Sequence, residues 1–224
     1  MRVRGERNSA NESSDQSKKA EGFKVIKILK FPMRDLQQYR LASQLAEGHK
    51  FVASLEALEP LLEKGDAQAH AVAGVIYEFG GEGVAVDFAK AKYCYEFAAG
   101  EVGSVGAGLG LSRLYFYGKG VDVDMEYAHT LYSALIKGVD EPLAEIGLAR
   151  INLHDSWEKP DLVAAEKHLR YGMSRGYVDA FILAASLRRR QGHFVKAMAL
   201  SINAKLRRFV YLIRDSEDVR LMDE

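Results

Sequence analysis

A short phrase recurs in this chain at near-constant spacing, and recurrence constrains a fold more tightly than any single residue does. Tyr77-x-x-Gly80, followed by Gly83-Val84-x-x-Asp87-x-x-Lys90-Ala91, returns as Tyr115-x-x-Gly118-x-Gly120-Val121-x-x-Asp124-x-x-Tyr127-Ala128. A worn third copy sets Asp161 and Ala165 in the same register, 37 residues after Asp124 and Ala128. Self-similarity at a period in the thirties marks a stack of two-helix hairpins, each burying its apolar side against the next.

The hydrophobic spacing divides each copy into a first helix, A, and a second, B. The A helices are expected at roughly 67–79, 105–117, 141–153 and 178–190, and the B helices at 87–99, 124–137, 161–174 and from 194 onward. A further hairpin precedes them: Leu41 and Leu45 lie four apart, Gly48-His49 breaks the helix, and Phe51, Leu55, Leu58 and Leu62 form one stripe on the next. Pro60 within that stripe is expected to kink the helix or shift its start, because proline lacks the backbone donor. Small residues crowd the A helices, Ala67 to Gly74 in one and Gly106, Ala107, Gly108 and Gly110 in the next. They predict close approach of neighbouring helices, which must recover the roughly 1 kcal/mol that each interior glycine costs.

The motif residues read as architecture. Gly83 and Gly120 suit backbone angles that other residues tolerate poorly. Asp87 and Asp124 stand where an N-cap is wanted. Ala91 and Ala128 are small where helix A crosses, and Tyr77 and Tyr115 fill the space between hairpins. Together these residues resemble the Sel1-like repeat, a relative of the tetratricopeptide repeat. The resemblance is clearest over 60–100 and 111–137, and weaker over 142–176. It departs from the pattern in an extra residue between Gly80 and Gly83, in Ser133 and Cys94 where bulkier aromatics are common, and in Asn152-Leu153-His154-Asp155-Ser156-Trp157-Glu158 replacing the glycine loop. The implied fold is all-α, a right-handed superhelical solenoid of two-helix Sel1-like or tetratricopeptide-like repeats spanning 35–203.

The ends differ in composition. Residues 1–22 are polar and mixed in charge, and are expected to be disordered. Residues 23–34, containing Phe23-Lys24-Val25-Ile26-Lys27-Ile28, read as a capping or docking segment. Residues 204–224 combine a basic helix with an acidic tail, the helix carrying Ile202, Leu206, Phe209, Val210 and Ile213 as one stripe. A long last helix of this kind is expected to cover the open end of the array and present a wet outer face.

Lysine plus arginine equals aspartate plus glutamate, at 31 each, so any electrostatic preference is local. The most uneven stretch runs from Asp179 to Asp215, with Arg188, Arg189, Arg190, Lys196, Lys205, Arg207, Arg208 and Arg214 and no acid between. Favourable contact with the helix dipole accounts for part of it. The remainder marks Arg188, Arg189, Arg190, Arg207 and Arg208 as candidates for meeting an anionic partner. Arg113 and Arg150 occupy one register of successive A helices and are candidates for lining a shared groove.

No catalytic pattern accompanies these features. Six scattered histidines form neither His-x-x-x-His nor His-Glu-x-x-His, and Gly103-x-x-Gly106-x-Gly108-x-Gly110 lacks the preceding strand and following Gly-Lys that phosphate loops need. The glycines are better explained by helix packing, and the single Cys94 by burial. No apolar run approaches the roughly 20 residues of a membrane span, and no secretory leader is visible, so a cytoplasmic protein without cofactor or metal is expected. The resemblance implies a non-enzymatic adaptor or scaffold that binds a protein or peptide, in bacteria. The alternative is a membrane-surface or nucleic-acid-associated protein using the basic last helix, with nucleic acid ranked lowest because no aromatic platform accompanies the charge.

Overall fold

The computed structural model describes residues 33–102 and 104–214. The segments 1–22 and 23–32, Gly103 and the acidic tail 215–224 lie outside the described residues, and with them the expectations placed there. Among the described residues ten α-helices follow one another: α1 Met33–Glu47, α2 Phe51–Glu63, α3 Ala67–Phe79, α4 Phe88–Val102, α5 Val105–Tyr117, α6 Met125–Gly138, α7 Pro142–Asn152, α8 Leu162–Ser174, α9 Val178–Arg190 and α10 Phe194–Arg214. Among the described residues there is no strand, only an isolated bridge between Gly81 and Val84. The chain divides into two compact units, with the boundary between Ala134 and Leu135 inside α6.

In the first unit, α1 pairs with α2, and α3 with α4, while α5 packs on α4. Helix α2 begins at Phe51 and continues three residues beyond Pro60, so the proline neither shifts the start nor ends the helix. Its fully buried face is Ser54, Leu58 and Leu61 rather than the whole expected stripe; Phe51, Leu55 and Leu62 flank it. Ser54 tolerates burial because its hydroxyl donates to the Ala42 carbonyl at 2.7 Å.

The helix starts have local causes. Asp66, Ser104 and Asp161 accept backbone amides at the first turns of α3, α5 and α8. Asp87 accepts from the Lys90 amide at 2.9 Å and Asp124 from the Tyr127 amide at 2.8 Å. The Lys90 amide holds the Asp87 carboxyl below its ordinary pKa. Gly120 has φ +67, and a Cβ built there would sit 2.5 Å from Phe88 Cβ, so both angle and space demand glycine. Gly83, at φ +79, likewise abuts Val52.

In the second unit, α7 pairs with α8 and α9 with both α8 and α10. Ile146, Ala149, Leu153, Ala165, Leu169, Ala180, Ala184 and Leu187 form its core. Helix α10 rests on Val178 and Phe181 of α9 through Ala204 and Leu200, with Ala197 also buried. This reverses the expected orientation of its apolar stripe. Ile202, Leu206, Phe209 and Val210 are 45–61 % exposed, because the contact with α9 uses Ala197, Leu200 and Ala204 on the opposite side.

Candidate partner-binding surface

The first unit is organised about Tyr95 of α4, whose side chain is fully buried. Its ring occupies a slot between two glycines. A Cβ added to Gly74 of α3 would lie 2.6 Å from the ring, and one added to Gly110 of α5 would lie 2.3 Å from it. The A-helix glycines therefore admit a side chain from helix B, which is more specific than general helix proximity. Gly106 takes no part, since a Cβ there would meet open space.

At the end of the slot the Tyr95 hydroxyl donates to Glu78 Oε2 at 2.7 Å. Glu78 is 2 % exposed, and Arg113 reaches it from α5, donating through Nε at 3.1 Å and Nη2 at 2.7 Å. Such a fork places two parallel charge-assisted bonds on one carboxylate. Burial works against the Arg113 charge, but the Glu78 bonds and charge outweigh it and raise its pKa. Burial foremost, with the Glu78 charge, also pushes the Tyr95 phenol upward, so it stays a neutral donor. Lys119 Nζ stands 4.0 Å from Glu78 Oε1.

Above this buried network lies an exposed aromatic and cationic patch. Phe79 ends α3 and is 51 % exposed; Tyr117 ends α5 and is 46 % exposed. Lys119 Nζ is 5.8 Å from the Phe79 ring centre, 5.7 Å from that of Tyr117 and 5.7 Å from that of Phe88. The Arg113 guanidinium lies 5.6 Å from the Phe79 ring. These are cation–π distances, so the buried Glu78 fixes two cations and the cations fix the rings. Val86 and Val123 fold over Gly80 and Gly118 in the adjoining loops and are themselves half exposed. Beside the first loop, Val52, Tyr77, Val84 and Lys90 line a shallow cleft of about 410 Å³.

The residues singled out from sequence fall into three situations. Tyr77 lies under Lys90 at 5.2 Å, Tyr115 meets Tyr127 edge-on at 4.7 Å, and Ala91 and Ala128 are fully buried. Arg113 belongs to the first unit and is committed to Glu78; Arg150 belongs to the second and is bonded to Asp179. At the end of α9, Arg188 forks onto Glu166, Arg190 pairs with Asp155 at 2.9 Å and Arg189 is exposed. The Arg188 bonds, then those of Arg170, lower the Glu166 pKa. On α10, Arg207 donates to Asn203 and stacks 4.6 Å from the Phe181 ring, while Arg208 is half-buried.

Glu78, Tyr95, Phe79, Tyr117 and Lys119 were not foreseen as a group. The available signal was an acid inside an apolar helix, 35 residues before an arginine on the next A helix. Cys94 is 5 % exposed and burial raises its thiol to about 11, far from a reactive thiolate. Among the described residues no group of three His, Cys, Asp or Glu is placed to hold a metal, and no helix is long and apolar enough to cross a membrane.

Helical hairpins with tyrosine-glycine turns, aspartate caps and an exposed patch at the ends of successive A helices define a helical-repeat protein. Its all-α repeat-solenoid fold is that of Sel1-like repeat proteins. The chain is similar to a Sel1 repeat protein from Oxalobacter formigenes, with TM-score 0.60 and 22 % identity over 76 % of this chain and 72 % of that one. It is similar also to c5321, a protective antigen of uropathogenic Escherichia coli with the same repeat fold, with TM-score 0.64 and 19 % identity. That match covers 81 % of this chain and spans 42 % of the antigen's length. No family model and no curated protein matches the chain.

Proposed function

We propose that this chain is a non-enzymatic bacterial adaptor that binds a protein or peptide segment on the first unit's repeat surface. The observation that carries the reading is the patch of Phe79, Tyr117, Arg113 and Lys119 held by buried Glu78. Exposed aromatics beside fixed cations are the composition of interface anchors, and their rigidity lowers the entropy lost on binding. The segment that suits it pairs an apolar or aromatic side chain with a carboxylate. The repeat fold supports the class of function, and both similar structures come from bacteria.

The test is selection of peptides from a random library on the full chain, followed by affinity measurement on Phe79→Ala/Tyr117→Ala. Selected peptides should be acidic and aromatic, and should bind the double variant at least tenfold more weakly. Equal affinity for the variant would overturn the reading.

A further inference from the structure

Helix α10 turns an apolar rather than a polar face to solvent. Val195 is 77 % exposed, Met198 60 %, Leu206 60 % and Phe209 61 %, with Ile202 and Val210 close behind. At about 100° per residue these six fall within an arc of about 120°, opposite the Ala197, Leu200 and Ala204 side. Lys205 borders the arc on one edge and Lys196 on the other, and both are exposed. Phe194, 69 % exposed, extends the apolar surface at the start of the helix.

Charge decides what covers this face. Every ionisable side chain of α10 other than Tyr211 is basic: Lys196, Lys205, Arg207, Arg208 and Arg214. No acid lies between Asp179 and Asp215, although the whole chain is neutral. A second copy docked face to face would bring two more lysines to the same borders and no acid to meet them. The partner must therefore offer an apolar layer bordered on both sides by negative charge. A bilayer containing anionic lipid meets that requirement at any rotation about its normal, whereas an acidic helix would need two matched acidic rows.

We infer that α10 lies in the surface of an anionic membrane, with Met198, Ile202, Leu206 and Phe209 among the acyl chains and Lys196 and Lys205 at the headgroups. The lysine stems reach outward to the headgroups while their methylenes stay in apolar contact. The opposite side of the helix stays docked on α9, so binding requires no unfolding of the hairpin.

The test is co-sedimentation of the full chain with phosphatidylcholine vesicles containing or lacking 30 mol % phosphatidylserine. Binding should be at least tenfold stronger to the serine-containing vesicles and should fall steeply as salt rises. Leu206→Glu/Phe209→Glu should abolish it, and Lys196→Gln/Lys205→Gln should weaken it at least threefold. Circular dichroism should show both double variants folded, since all four side chains are exposed. Phe209→Trp should give a blue-shifted emission on vesicles. Absence of binding, equal binding to neutral vesicles, or unchanged binding by the glutamate variant would overturn the inference. So would a dimer or acidic-peptide complex broken by that variant while vesicles are ignored.

Discussion

The two units solve the same packing problem with the closest-packed glycine on opposite helices. In the first, the B helix α4 supplies the large residue, Tyr95, and the A helices α3 and α5 supply the space, Gly74 and Gly110. In the second, the B helix α8 supplies the space at Gly172. A Cβ there would lie 2.9 Å from both Ala180 Cβ of α9 and Ile146 Cγ1 of α7. At the register of Tyr95, 74 residues on, α8 carries Leu169, buried in one cluster with Ala149, Ala180 and Ala184. What the hairpin stack fixes is a summed volume between neighbouring helices, and either side can contribute it.

Their turns differ in a parallel way. The Asp87 amide donates to the Tyr77 carbonyl at 2.8 Å, and the Asp124 amide to the Tyr115 carbonyl at 2.9 Å. In the third copy Asn152 stands at the register of Tyr115, and the Asp161 amide donates to its side-chain oxygen at 2.9 Å. The Asn152 amide group donates back to the Leu148 carbonyl at 3.0 Å, which anchors the acceptor. Where the glycine turn is missing, a buried side chain thus takes over the part of a backbone carbonyl.

The largest expected effect comes from Tyr95→Ala, which empties the glycine slot and strips Glu78 of a donor. Loss of a large buried aromatic should cost about 3–5 kcal/mol in urea denaturation. Gly110→Ala should follow. Overpacking against a ring already confined by Gly74 costs about 3 kcal/mol, and the better helix propensity of alanine returns about 1, for a net loss of about 2. Gly106→Ala, in open space four residues earlier, should instead stabilise by up to about 1 kcal/mol. If both glycine substitutions behave alike, the slot is not what fixes this interface.

Asn152→Ala tests the substitute turn. It leaves the Asp161 amide without its acceptor, at a cost of about 1–2 kcal/mol, and exchange of that amide with solvent deuterium should quicken. Unchanged exchange would mean that the side-chain oxygen is incidental. Gly172→Ala should be the least destabilising of these changes, a net loss of about 1 kcal/mol, because the nearest atoms stand at 2.9 Å rather than 2.3 Å and Ile146 can rotate away. A Gly172→Ala loss larger than that of Gly110→Ala would reverse the proposed ranking of the two interfaces.

The helices were largely legible in the sequence because their apolar spacing is regular, and at α3 and α5 the start carries local chemistry as well. Asp66 and Ser104 cap α3 and α5, and the expected bounds 67–79, 105–117 and 178–190 are those observed. Orientation was less legible. Periodicity reveals that α10 has an apolar side, but only the shape of Val178 and Phe181 on α9 selects Ala204 and Leu200 as the contact. The patch was hidden for a related reason. Glu78 reads as a solvent-facing acid until Arg113 and Tyr95 arrive from other helices to satisfy it. Asn152 was visible as a departure, yet its bond to Asp161 depends on the path of the chain between them.

The tyrosine held between two glycines also limits how such a protein can grow or be rebuilt. Tyr95 depends on Gly74 within its own hairpin and on Gly110 within the following one, so neither hairpin is a self-sufficient cassette. Duplicating, deleting or transplanting one of them would break the match at a seam unless all three positions moved together. Lengthening this array is therefore a matter of copying junctions, with the hairpins carried along.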